Sequence, residues 1–160
     1  MSIGEPLRKP PLPEKASIPL SQYIGAPCEP LVKKGDYVEE GQVLGKSSSY
    51  ISSPVHSPIC GTVLEISRQT HPTLGQCLSV VVERDREKAP RDYSEQAVDG
   101  LSPAELIRRV RDAGIVGMGG AAFPTHVKLS IPAGKRIKTL IVNGAECEPF
   151  LTCDQILMAK

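Results

Sequence analysis

Gly117-Met118-Gly119-Gly120-Ala121-Ala122-Phe123-Pro124-Thr125 is the segment that most narrows what this chain can become. Three glycines in four residues remove the Cβ atoms that would keep a backbone away from a bulky anion. Pro124, preset for a helix start, is expected to leave the first-turn amides free to donate to phosphate oxygens. The residues that follow sharpen this reading. Lys138-Thr139-Leu140-Ile141-Val142 has the length and apolarity of a buried strand, and Asn143-Gly144-Ala145-Glu146-Cys147-Glu148-Pro149 places polar groups at its C-terminal end. Ligands bind at such strand ends in α/β sheets.

The helix before the loop carries its own punctuation. Ser102 is a predicted N-cap, Pro103 takes the first helical position, and Glu105 stands at capping-box spacing. Leu106, Ile107 and Val110 supply an apolar stripe, and Gly114 closes the helix. Pro124 to Ser130 reads as a short second helix, and the charged, turn-rich stretch 89–100 as a linker.

The first half of the chain has a different texture. Pro10, Pro11 and Pro13 mark an extended leader, because proline cannot donate to a strand ladder. From Ile18 to Glu83, short β-rich runs alternate with Gly and Pro: Leu31-Val32, Tyr37-Val38, Gln42 to Leu44, Gly61 to Ile66 and Leu78 to Val82. Turn signals at this spacing predict a small barrel or sandwich. Val32 to Leu44 resembles the strand–turn–strand of biotinyl and lipoyl domains, and Ser57 to Val63 resembles their return strand, which implies a barrel-sandwich hybrid. Those domains attach a swinging cofactor to a lysine at an exposed hairpin tip. The corresponding segment here, Lys46-Ser47-Ser48-Ser49-Tyr50-Ile51-Ser52-Ser53, lacks the Lys-Met pair and reads as a solvated turn.

The Gly-x-Gly-Gly-Ala-x-Phe-Pro-Thr-x-x-Lys-Leu loop from Gly117 to Leu129, followed by Asn143 to Pro149 and Leu151-Thr152-Cys153-Asp154, resembles the RnfC family. It is similar also to the NADH- and FMN-binding flavoprotein subunit of respiratory complex I. The likeness to RnfC extends back through Ile18-Pro19-Leu20, Ile24 to Pro27 and Ser53 to Pro58. This resemblance implies that Gly117, Gly119 and Gly120 pack against FMN or the nucleotide, and that Lys128 approaches its phosphate or ribityl region. Asn143 and Glu146 would hydrogen-bond the flavin side, with Glu148 behind them. The complex I flavoprotein usually has Arg, Gly and Asp where Met118, Ala122 and Ala145 stand here, so two polar contacts are replaced by apolar side chains. No general acid, base or nucleophile is required of this chain, since the cofactors carry the chemistry.

The five cysteines are odd in number and dispersed, which suits reduced thiols better than a disulfide framework. They lack the C-x₂-C-x₂-C-x₃-C-P spacing of iron–sulfur ligation. The resemblance therefore implies that 4Fe–4S clusters belong to more C-terminal sequence, and Cys147 and Cys153 read as structural. His56 and His71 have no ligand partner at metal-binding spacing, and His126 reads as an exposed first-turn residue. A net charge of +1 with interleaved signs, as in Glu83 to Lys88, argues against nucleic acid as a partner. With no apolar run long enough to span a bilayer and no leader-like segment, the chain is expected to be cytoplasmic and to lack direct membrane insertion.

The expected architecture is β plus α/β: a leader over 1–17, a barrel-sandwich domain over 18–88, a linker over 89–100, and over 101–160 the beginning of an FMN- and NADH-binding α/β domain. Only one strand follows the loop, and a parallel partner needs a crossover of a dozen or more residues, so that domain is expected to be incomplete. By resemblance, the intact protein would accept hydride from NADH onto FMN and pass electrons through iron–sulfur clusters. It would do so within an ion-pumping Rnf complex at the inner face of the bacterial membrane, with ferredoxin reached indirectly. The alternatives are a related electron-transfer protein feeding a soluble reductase, and a docking module without a cofactor.

Overall fold

The structure is a computed structural model that describes residues 10–94, 97–117 and 120–159. Leu12–Ser130 form one compact unit, and residues from Ile131 onward belong to another. In the first unit, seven strands build two curled antiparallel sheets: β1 (Lys15–Pro19), β2 (Glu29–Pro30), β3 (Tyr37–Val38), β4 (Val43–Lys46), β5 (Val55–His56), β6 (Gly61–His71) and β7 (Gly75–Arg84). One sheet has the order β1-β7-β6-β3 and the other β2-β4-β5. This is the barrel-sandwich hybrid that the resemblance to biotinyl and lipoyl domains implied.

The long β6–β7 hairpin organises it. Thr62 pairs with Glu83 and Ile66 with Val80, with a bulge between Val63 and Glu65 that bends the ribbon. A Cβ on Gly61 would overlap the Glu83 carbonyl, so only glycine permits the two strands to approach there. β1 adds to the other side of β7 with Ile18 opposite Val80, so Lys15, placed by its prolines in the leader, begins a strand. Leu31-Val32, expected as a strand, lies just beyond the two-residue β2. The core between the sheets contains Ile18, Leu20, Val38, Leu44, Val55, Ile59, Val63, Val80 and Val82. Cys28 is buried with Tyr23: the Tyr23 hydroxyl lies 3.2 Å from the sulfur, which donates to the Ser53 carbonyl at 3.2 Å. Burial pushes the Tyr23 hydroxyl up to about 12 and raises the Cys28 thiol as well, so both are held neutral.

Beyond the barrel, α1 (Pro103–Asp112) begins as its sequence predicts: Ser102 Oγ accepts from the Glu105 amide at 3.3 Å. At the far end Gly114, at φ +72°, lets its amide reach Arg111 O at 3.0 Å while Ile115 N reaches Val110 O at 3.3 Å. These two bonds form a Schellman motif. Ile107 and Val110 are half-buried, while Leu106 remains exposed. α2 (Thr125–Leu129) follows the glycine loop and packs on α1.

The second unit departs from expectation. Residues 138–142 form no strand, and Leu140, Ile141 and Val142 are 80%, 86% and 81% exposed. The reason is lateral: among the described residues no strand runs beside this segment, so its backbone has no ladder to join. Among the described residues of this unit the regular element is α3 (Cys153–Met158), and Met158 packs over Gly144, where a Cβ would lie 2.7 Å from its sulfur.

Candidate functional site

The glycine loop is closed at its neck by main-chain bonds. Val116 and Pro124 form an antiparallel bridge, the Gly117 amide donates to Phe123 O at 2.9 Å, and the Thr125 amide donates to Ile115 O at 3.1 Å. Pro124 is the N-cap of α2 and Thr125 its first residue. The Thr125 amide is therefore already engaged and is not one of the free phosphate donors expected at this helix start. Ala122 turns the loop through a left-handed φ of +51°.

Within this neck the structure brings Gly117 and Lys128 together. A Cβ on Gly117 would lie 2.5 Å from Lys128 Nζ, so the ammonium occupies the space a side chain would need. Gly120 is exposed, and a Cβ there would meet nothing within 4 Å. Gly119 and Met118 lie outside the described residues. The result is a backbone neck whose Gly117 and Thr125 amides are spent on carbonyls, with the Lys128 ammonium beside Gly117 as the charge that attracts an anion.

The polar segment belongs to the other compact unit. Asn143 Oδ1 accepts from the Ala145 amide at 2.9 Å, forming a local turn. Glu146 folds back onto the start of α3: Oε1 accepts from the Gln155 amide at 3.1 Å and Oε2 from the Cys153 thiol at 3.2 Å. The Gln155 amide, with the thiol assisting, holds the Glu146 carboxyl below its ordinary range. The same thiol–carboxylate bond raises Cys153. Glu148 is exposed, and its carbonyl accepts from Leu151 N at 3.3 Å. Glu146, Cys153 and Asp154 bring their potential ligand atoms within 4.8 Å of one another. Both Glu146 oxygens are committed to α3, so the cluster is explained as a helix cap.

Two contacts in the first unit left no signal in the sequence. His126 is not an exposed first-turn residue: it is 1% exposed, and its Nε2 lies 3.0 Å from the Tyr50 carbonyl. His56 Nε2 lies 3.0 Å from Asp112 O at the C-terminus of α1. No periodicity could have revealed either, because their partners are 76 and 56 residues away. The Cys153–Glu146 bond was hidden for the same reason on a smaller scale, since it closes across a turn rather than along a helix face.

Both halves of the chain have counterparts among known proteins. Residues 1–87 match the RnfC barrel sandwich hybrid domain. The chain belongs to the RnfC family. Residues 110–160, which contain the glycine loop and the Asn143–Pro149 segment, match the Nuo51 FMN-binding domain. Among curated relatives, a component of the proton-translocating ferredoxin:NAD(+) oxidoreductase complex of Clostridium ljungdahlii is 42% identical, over 96% of this chain and 34% of the relative. Its counterpart in the Na(+)-translocating ferredoxin:NAD(+) oxidoreductase complex of Acetobacterium woodii is 42% identical, over 92% and 34%. The corresponding component of the ion-translocating oxidoreductase complex of Rhodobacter capsulatus is 41% identical, over 94% and 30%. The chain thus spans about a third of the length of these RnfC relatives. Among the described residues, no helix is long and apolar enough to cross a membrane.

Proposed function

We propose that this chain supplies the barrel module and the first wall of an FMN site to an electron-transport component of an ion-translocating oxidoreductase complex. The observation that carries this is the Lys128 ammonium seated beside Gly117, at the neck that the loop's own backbone bonds close. The ammonium, standing where only a glycine leaves room for it, offers the phosphate of a flavin nucleotide a matching positive charge. Bound FMN would supply two-electron acceptance from NADH and one-electron release to iron–sulfur centres. The protein's own contribution is to bind and orient: Gly117, Gly119 and Gly120 would give close approach, Lys128 the positive charge and Asn143 a hydrogen bond toward the ring, while Glu146 would turn to the flavin only by giving up its bonds to α3, with Glu148 behind.

On this reading, residues 18–88 act as the barrel module and 101–160 as the beginning of the flavin domain, joined through 89–100, with 1–17 as a leader. Iron–sulfur ligation falls to sequence beyond these residues, because the cysteines here are dispersed and Cys28 and Cys77 are buried. The names of the relatives support assembly with the other members of such a complex and pair ferredoxin with NAD(+) as the redox couple; on our reading NADH is the electron donor and ferredoxin an indirect partner. The intact protein would then sit peripherally at the inner face of the membrane.

Flavin titration of the intact protein tests the proposal. FMN fluorescence is expected to be quenched on binding, and Lys128→Ala should weaken affinity about tenfold, the order of one charge-assisted hydrogen bond. Addition of NADH should bleach the flavin absorbance band. An intact protein that neither binds FMN nor bleaches with NADH would refute it.

A further inference from the structure

The segment between Lys46 and Ser53 occupies the place where biotinyl and lipoyl domains present their cofactor lysine, yet in this fold it is not a free tip. Ser52 and Ser53 are 3% and 2% exposed. The Ser52 hydroxyl donates to Ser49 O, the Ala26 amide to Ile51 O at 3.0 Å, and the Cys28 thiol to Ser53 O at 3.2 Å. Carbonyls of Ser49, Ile51 and Ser53 are thus all engaged, and the carbonyl of Tyr50, between them, faces His126.

α2 needs such a support. It has five residues, far too few for a helix to hold itself in water. Yet it carries Lys128, whose ammonium must sit over Gly117 for the loop to be charged. His126, two residues earlier, is buried against the hairpin: Nε2 is 3.0 Å from Tyr50 O, and the rings meet edge to face with centroids 5.5 Å apart and planes at 89°. A carbonyl only accepts, so Nε2 carries the proton, and Nδ1 is left buried without a hydrogen-bond partner. A histidine that keeps one nitrogen unsatisfied contributes more than volume here, since an apolar ring would avoid that cost. The Ser130 hydroxyl closes the far end of α2 on the His126 carbonyl at 2.7 Å.

We propose that the 46–53 hairpin is the mount for the glycine loop, and that His126 is a positioning residue whose Nε2–H bond to Tyr50 O sets where Lys128 stands over Gly117. The barrel then serves the flavin site directly: the hairpin that would carry a swinging cofactor in a carrier domain instead holds still the helix beside a bound one. This rests on the FMN reading for its functional consequence, while the mechanical claim stands on the contacts alone.

Two variants of the intact protein separate orientation from packing. His126→Phe keeps a ring against Tyr50 and loses the donor; His126→Gln keeps a donor at a comparable reach and loses the ring. Amide hydrogen exchange is the first readout and FMN titration the second. For His126→Phe, exchange is expected to rise about tenfold across 117–129 with strands β6 and β7 unchanged, and FMN affinity to fall about tenfold, the worth of one hydrogen bond. His126→Gln should stay within about threefold of the parent on both, since a donor is retained. The proposal is overturned if His126→Phe leaves the loop's exchange unchanged, if Gln loses as much as Phe, or if exchange rises uniformly through the barrel, as for an ordinary core residue. A parent protein that binds no FMN but shows the local exchange pattern would refute the flavin reading and leave the mount standing. A parent that binds FMN while His126→Phe behaves like it would do the reverse.

Discussion

The two compact units handle their apolar residues in opposite ways. In Leu12–Ser130, Val38, Leu44, Val80 and Val82 are completely buried, whereas the most apolar run of the second unit, Leu140-Ile141-Val142, is at least 80% exposed. Composition does not explain the contrast, since both segments are rich in Val, Ile and Leu. Connectivity does. The barrel is made of antiparallel neighbours: its longest pair, β6 and β7, is joined by a turn at 72–74, and the hairpin they form offers edges on which the more distant β1 and β3 find their ladders. A parallel strand obtains its neighbour only after a crossover, and among the described residues none lies beside 138–142.

The sharpest way to break this comparison is to truncate one side chain in each unit. Leu44→Ala should cost about 2–5 kcal/mol in urea unfolding, from lost burial plus a cavity, while Ile141→Ala should stay within about 0.5 kcal/mol. Equal losses would mean that Ile141 is covered, and the contrast between the units would disappear. A smaller effect is expected at the join between α1 and the barrel. Gly114→Ala must hold a Cβ at φ +72° and push it to 2.6 Å from the Pro54 carbonyl, at a cost of about 1–3 kcal/mol. A thermal melt that matches the parent would show that α1 is not seated on the barrel as described.

The smallest effect distinguishes the units by pH. Glu146 titrates below its ordinary value because the Gln155 amide and the Cys153 thiol donate to the ionised form. Its contribution to α3 is therefore fully present above the unfolded carboxylate range, near about 4.3, and is lost as the pH falls through the depressed folded value. The protection factor of the Gln155 amide, taken against its intrinsic exchange rate at each pH, should fall on acidification in this window, while those of the β6–β7 amides show no step from this group. Glu146→Ala should accelerate Gln155 at neutral pH and remove the acid step. An acid step that persists in this variant would assign it to another carboxylate.

Much of the barrel was legible because its signals are local. Tyr37-Val38, Gln42 to Leu44, Gly61 to Ile66 and Leu78 to Val82 all fall in or beside strands, bounded by the Gly and Pro that read as turns. Ser102, Pro103 and Gly114 marked both ends of α1, since a cap acts on amides and carbonyls within one helical turn. Within the candidate site, Gly117 and Lys128 belong to one short motif, and the structure does set the lysine beside the glycine. His126 and Tyr50 read as a surface residue and part of a solvated turn, because neither carries any trace of the other.

The strands β3, β4, β6 and β7, both ends of α1 and the family of the glycine loop could be read from the amino-acid order alone. Each depends on backbone chemistry acting over a few residues. It took the packed fold to make a serine-rich hairpin a support, to fasten helices to a barrel through two histidines, and to turn Glu146 into the cap of α3. Burial and directional hydrogen bonds depend on what stands opposite in space, and in this chain those partners are 76 residues apart for His126, 56 for His56 and nine for Glu146.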